Sequence, residues 1–313
     1  MKANDWTDPT SIWLAPAFEQ LDAAIISTVA YADVFNYPLT AVQIHRYLVG
    51  LTASLAEVKA MLTGDGKVSC ALSKQEKFYT LRGREDLVEM RQYRVNTAAK
   101  LWPRALRYGH AIAKLPFVRM VALTGALTMD NVKSDDDFDY LIVTEAERLW
   151  LTRALVIGLV VKLAARQGEE VCPNYLLSKR ALFFEEHNLY TAHELAQMIP
   201  LSGLLIYQEM RRLNTWTDRF LPNAKGPPKD LCSSDMGWRP VLSLVETMLQ
   251  TRIGTRLERW ERERKILKFT QQVKDKTTVS FDQDRCKGHF KSHAHIVQEA
   301  LVDRLQKVRE LAC

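Results

Sequence analysis

The segment VALTGALTMDNVKSDDDFDYLIVT, residues 121–144, sets Asp135, Asp136, Asp137 and Asp139 against the start of an apolar run. Carboxylates this close repel one another and resist desolvation, so a fold tolerates them where a cation neutralises the cluster. If a strand begins at Phe138, Asp137 and Asp139 stand two residues apart and project from the same face. Two such groups suit hard divalent cations, Mg²⁺ or Mn²⁺, which can clamp the attacking and leaving oxygens of an in-line phosphoryl displacement. Asp135 and Asp136 then belong to the loop. In the alternative register Asp135 and Asp137 form the pair and Asp139 is a third acid within the strand. Gly125, at the end of the preceding apolar run, lets the backbone turn tightly, and a short segment after it would present a helix N-terminus to negative charge.

The elements that must position these residues are legible around them. FVRMVALT (117–124) and FDYLIVT (138–144) read as buried strands, with a helix from about Glu145 to Arg166 covering them. EVCPNYLLS (170–178) is a third strand candidate, weakened at its start by Pro173. Before them lies a helical tract, 84–115, broken or kinked near Pro103. Earlier still, residues 17–35, the run starting at Asn36 and ending at Gly50, and 54–62 read as three helices, Ser54 and Glu57 forming a capping box. A hairpin follows. This pattern spells a winged helix over residues 15–85. A second domain spans 86–220, a linker 221–230, and a helical C-terminal region 231–313. Helices are expected over 191–213, 237–267 and 291–311.

The run TGA, ten residues from Leu127 to Asp136, and then DFDY resembles the signature of the DNA polymerase beta-like nucleotidyltransferase superfamily. CPNYLLS, LYTAHELAQMIPL and WTDRFLPN are similar to one branch of it that carries an N-terminal winged helix. The resemblance implies an α+β fold, a nucleotidyltransferase-like mixed sheet flanked by helices. It also implies metal-dependent transfer of a nucleoside monophosphate from an NTP to an acceptor, which is a small molecule, a protein or a nucleic acid. On this resemblance Asp137 and Asp139 are catalytic and hold the metal, and Gly125 with Ala126 forms the phosphate turn. Two positions depart from the family pattern. Ala126 stands where the family has Ser, leaving Thr124 or Thr128 to supply the hydroxyl. The third carboxylate's place, in CPNYLLS, offers Asn174, which can ligate a cation but cannot take up a proton; Glu185 and Glu186 lie just beyond. The departures give weight to an alternative, a catalytically inactive nucleotide-binding or winged-helix regulatory or adaptor protein.

The rest of the composition bounds partners. The chain has 313 residues, 47% of them hydrophobic, and 43 Lys+Arg against 37 Asp+Glu, a net charge of +6 that favours anionic partners without demanding them. Five scattered cysteines, no signal-peptide pattern and no apolar stretch of membrane-spanning length point to a cytoplasmic protein without membrane contact. DNA or protein contact through the winged helix follows from its architecture. Its recognition helix SLAEVKAML carries one Lys and one Glu, which favours a structural or docking role. RIGTRLERWERERKILKF (252–269) reads as a solvated basic face over a packed stripe of Ile253, Leu257, Trp260 and Leu267, with Glu258–Arg262 and Glu261–Lys265 ion pairs. Cys286, His289, His293 and His295 form at most half of a zinc site.

Overall fold

A computed structural model describes residues 20–233, 239–272, 280–287 and 290–311. It is mixed α+β, and no helix among the described residues is long and apolar enough to cross a membrane.

Helix α1 (Leu21–Val34) is apolar on all sides, and its residues from Ala23 to Asp33 are buried, so neighbours must surround it. Those neighbours are α2 (Ala41–Arg46), α3 (Leu55–Thr63), α4 (Lys67–Ala71) and a three-stranded antiparallel sheet. The sheet runs β1 (Leu39–Thr40), β3 (Phe78–Leu81), β2 (Leu72–Gln75) in spatial order. The Ser54–Glu57 capping box forms at the start of α3, with Ser54 N–H and hydroxyl both donating to Glu57 at 2.7 Å. Of the basic residues around the hairpin, Arg82 is tied to the carbonyls of Cys70 and Ser69, and Arg84 to Asp33 and Asn36.

Helix α5 (Leu87–Ala113) follows and continues through Pro103, contrary to the expected break. Proline removes one ladder bond there, while Ala98, Leu101 and Ala105 on the buried face hold the helix against the sheet. The main sheet comprises β4 (Val118–Leu123), β5 (Phe138–Thr144), β6 (Val171–Ser178), β7 (Ile199–Ser202), β8 (Ser280–Phe281) and β9 (Arg285–Lys287). Its order is β7-β4-β5-β6-β9-β8, with β5 and β6 parallel and the other pairs antiparallel. One face packs under α5, α6 (Leu149–Leu155), a π turn (Val156–Val161) and α7 (Lys162–Arg166). The other face meets α8 (Leu189–Gln197) and α9 (Leu204–Leu213).

Four sequence expectations need correction. Residues 191–213 are not one helix: α8 ends at Gln197, and Ile199–Ser202 crosses to pair with β4 as an edge strand before α9 begins. Pro200, without an N–H, suits an edge strand, and Gly203 at φ 74° starts the return. Residues 237–267 divide into α10 (Arg239–Leu249) and α11 (Arg252–Gln272). The C-terminal region is not helical throughout, because β8 and β9 extend the main sheet before α12 (Phe290–Leu311) packs against α1.

The expected packed stripe of α11 is the fourth. Ile253, Leu257, Trp260 and Leu267 are exposed, and the helix buries Gly254, Glu258 and Glu261 instead. Glu258 is held inward because its carboxylate accepts the first backbone N–H groups of α6, from Trp150 at 3.0 Å and Leu151 at 2.7 Å. Glu261 pairs with Arg264 rather than Lys265. The half zinc site does not form among the described residues: Cys286 is buried in β9 opposite Leu176, His293 and His295 lie on α12, and His289 falls outside them.

Candidate functional site

The strand alternation that buries Phe138, Tyr140 and Ile142 on one face of the sheet sends Leu141 and Val143, and with them Asp139, to the face covered by α8. Asp137 and Asp139 converge there. One ligand oxygen of each and the Cys172 sulfur lie within 4.8 Å of one another. Among the described residues no Lys or Arg forms an ion pair with either aspartate. Asp136 instead accepts the backbone N–H of Lys133 at 2.8 Å, which leaves it and the exposed Asp135 to the loop.

The phosphate-turn residues lie directly against this pair. Thr124 N–H donates to the Asp139 carbonyl at 2.9 Å, which registers the end of β4 on β5. Gly125 has φ 71° and ψ −162°, a conformation confined to glycine, and a Cβ there would overlap the Asp139 carboxylate. A single 3₁₀ turn, Ala126–Met129, follows. Ala126 is exposed. Thr128 is buried and its hydroxyl donates to Gly125 O at 2.7 Å, so it closes the turn instead of facing outward. Thr124 keeps its hydroxyl without a hydrogen-bond partner although it is buried.

On β6, the residue paired with Asp139 is Cys172. Asn174 comes two positions later, within a register shift of the β5–β6 ladder. Burial pushes the Cys172 thiol up to about 12, the aspartates adding to the shift, so it stays a neutral thiol that donates to Asp139. Glu185 pairs with Arg285 at 2.9 Å and Glu186 with Lys287 at 2.8 Å, so neither joins the aspartates.

The acid that does approach was not visible in sequence. Glu194, on α8, makes no hydrogen bond or ion pair among the described residues, and burial pushes it up to about 7 against the pull of Lys287. Asp139 rises to about 8, first through burial, then through the charges of Asp137 and Glu194. Burial, with the neighbouring carboxylates at Asp139, thus lets two carboxyl groups hold protons near neutrality. Glu194 was hidden because α8 read as the first third of a longer helix, and no spacing signal links it to residues 125–139.

Glu194 and Gly125 also border a cavity of about 360 Å³, half of whose other described wall residues come from 28–47. Two clamps seat that wall on the 3₁₀ turn. Buried Arg91 donates to Asp130 O and to the Tyr37 hydroxyl, both at 2.7 Å. Asn131 donates to Phe35 O at 3.1 Å while accepting from Arg94 at 2.9 Å. Trp102 and Lys229 fix the Asp130 carboxylate, at 2.7 Å and 2.9 Å. His193 is buried in stacked contact with Tyr31, ring centroids 3.8 Å apart, and burial lowers it to about 4, so it is neutral.

Comparison with family models, with curated proteins and with solved structures returned no match. Function must therefore be argued from the chemistry of the site.

Proposed function

We propose that this chain is a metal-dependent nucleotidyltransferase of the DNA polymerase beta-like kind, transferring a nucleoside monophosphate from an NTP to an acceptor. The observation that carries the reading is the convergence of Asp137 and Asp139, neither in an ion pair with a Lys or Arg among the described residues, with Asp139 set against Gly125, whose missing side chain leaves it room. The donor set fits Mg²⁺ or Mn²⁺, since carboxylate oxygens are the ligands of hard cations and the neutral Cys172 thiol is not needed among them. A cation held there would neutralise the phosphate oxygens during displacement at the α-phosphorus.

The chain's own groups take the remaining roles. Gly125 and Ala126 bring backbone up to the phosphates, and Thr124 supplies the hydroxyl that Ala126 lacks. Glu194, rather than Asn174, accepts the acceptor's proton; it is near enough to Asp139 to raise its pKa and makes no hydrogen bond or ion pair among the described residues. The N-terminal module, winged-helix-like in its helices and hairpin, serves as a wall of the site. Its hairpin arginines are already engaged with this chain, which argues against a DNA-reading role.

The test is incubation with each labelled NTP, Mg²⁺ or Mn²⁺ and candidate acceptors, comparing wild type with Asp137→Ala/Asp139→Ala. Transfer by the wild type alone supports the reading, and equal turnover in both removes it. The engagement of Thr128 with Gly125 favours a second reading, a catalytically silent nucleotide-binding adaptor. NTP binding without pyrophosphate release would select it.

A further inference from the structure

We propose that the cavity between the N-terminal module and the Gly125 turn is a binding site for an uncharged aromatic ring that carries an N–H or O–H donor, with Glu194 as the acceptor of that hydrogen bond. The inference deepens the nucleotidyltransferase reading and rests on it only for the source of the ring.

Three observations converge. The cavity, about 360 Å³, falls within the range of small-ligand sites, and Tyr31, Phe35, Tyr37, Tyr47 and Tyr190 supply ring surface on its walls. Among its described lining residues there is no Lys or Arg, and neither clamping arginine is among them, so a triphosphate finds no strong counter-charge from the described wall and belongs at the Asp137–Asp139 end. Among its polar lining residues Glu194 is the one carboxyl group of the described wall, and it makes no hydrogen bond among the described residues. Glu194 is half-buried and reaches the cavity, so a ligand donor can hydrogen-bond to it there. Aromatic walls select a flat ring, the lack of Lys and Arg among the described lining residues disfavours an anion, and the carboxyl group selects a donor on the ring's edge.

Two sources share this chemistry: the base of the nucleotide, and an aromatic acceptor whose hydroxyl faces the α-phosphate. In the second case the acceptor oxygen forms a bond to the α-phosphorus, the bond from that phosphorus to pyrophosphate breaks, and the hydroxyl proton passes to Glu194. Both place the ring next to Gly125.

Isothermal titration calorimetry of the full chain, without metal or triphosphate, with guanosine, adenosine, cytidine, uridine and p-cresol as probes separates the sources. Guanosine offers two adjacent N–H donors to one carboxylate and is expected to bind most tightly of the nucleosides. Binding of a nucleoside assigns the cavity to the base. Binding of p-cresol alone assigns it to an aromatic acceptor. In either case Glu194→Gln should weaken the probe about tenfold, the loss of one hydrogen bond. Ala32→Leu, which fills the cavity from α1, should abolish binding. Urea unfolding of both variants confirms that they are folded. No binding of any probe at millimolar concentration, or binding that neither variant alters, overturns the proposal. Because metal and triphosphate are left out, that result leaves the transfer assay to decide the nucleotidyltransferase reading separately.

Discussion

Replacing Gly125 by alanine probes the contact on which the site is built. Two penalties arise at once. The backbone at φ 71° and ψ −162° lies in a region that a β-carbon disfavours by ~1–3 kcal/mol. The added methyl also falls on the Asp139 carboxylate, with the nearest Asp139 carbons only 3.2 and 3.3 Å from the new atom. Asp139 must rotate away, and an off-rotamer side chain adds roughly 1 kcal/mol. The sum is about 3 kcal/mol, or a fall in Tm of roughly 5 °C for a chain of 313 residues. Urea unfolding followed by tryptophan fluorescence measures the first effect. A Mn²⁺ titration measures the second, and displacement of one ligand should weaken binding at least about tenfold. In an Asp139→Ala background the overlap with the carboxylate disappears while the contact with Cβ at 3.3 Å and the backbone strain remain, so the cost of Gly125→Ala should shrink by about 1 kcal/mol. A variant within ~0.5 kcal/mol of wild type that binds Mn²⁺ normally would refute the claim that Gly125 is glycine because of Asp139.

Three further outcomes follow from the same contacts. Asp139 is raised from its ordinary 3.8 to about 8, so between those values the folded protein holds a proton that the unfolded chain has released. Metal-free stability should therefore fall as pH rises from about 4 to about 8, and Mg²⁺ affinity should rise over the same window. Tm against pH with and without Mg²⁺ checks both trends, and Asp139→Asn should flatten them. Glu258→Ala leaves two N–H groups at the start of α6 without their acceptor and should cost about 2 kcal/mol in urea unfolding. Asp33 is almost fully buried between Arg84 at 3.1 Å and Arg304 at 2.7 Å, joining α1 to α12. Its removal should cost about 3 kcal/mol. Amide exchange in α12 should accelerate, and unchanged protection there would show that the ion pairs do not hold that helix.

What the sequence disclosed was local. The acid pair, the glycine turn and the loop role of Asp135 and Asp136 were legible because they lie within one strand–turn–strand unit, where spacing fixes geometry. The Ser54–Glu57 cap was readable for the same reason. What escaped was set by distant chain. Glu194 meets Asp139 only because Ile199–Ser202 pairs with β4 and carries α8 across the sheet face. The short strands Ser280–Phe281 and Arg285–Lys287 have too few residues to show alternation; the second exists by pairing with β6 and the first by pairing with the second. On α11 the apolar stripe pointed the wrong way because Glu258 is drawn inward by the unsatisfied start of another helix, which periodicity cannot register.

The central claim is that Asp137 and Asp139 hold a divalent cation where an NTP meets the Gly125 turn. Electron paramagnetic resonance of Mn²⁺, titrated with wild type and with Asp137→Asn/Asp139→Asn in the presence and absence of ATP, tests it most directly. The account predicts stoichiometric Mn²⁺ binding by the wild type that ATP tightens, and loss of both effects in the variant. Equal Mn²⁺ binding by the two proteins, or none by either with ATP present, would contradict it.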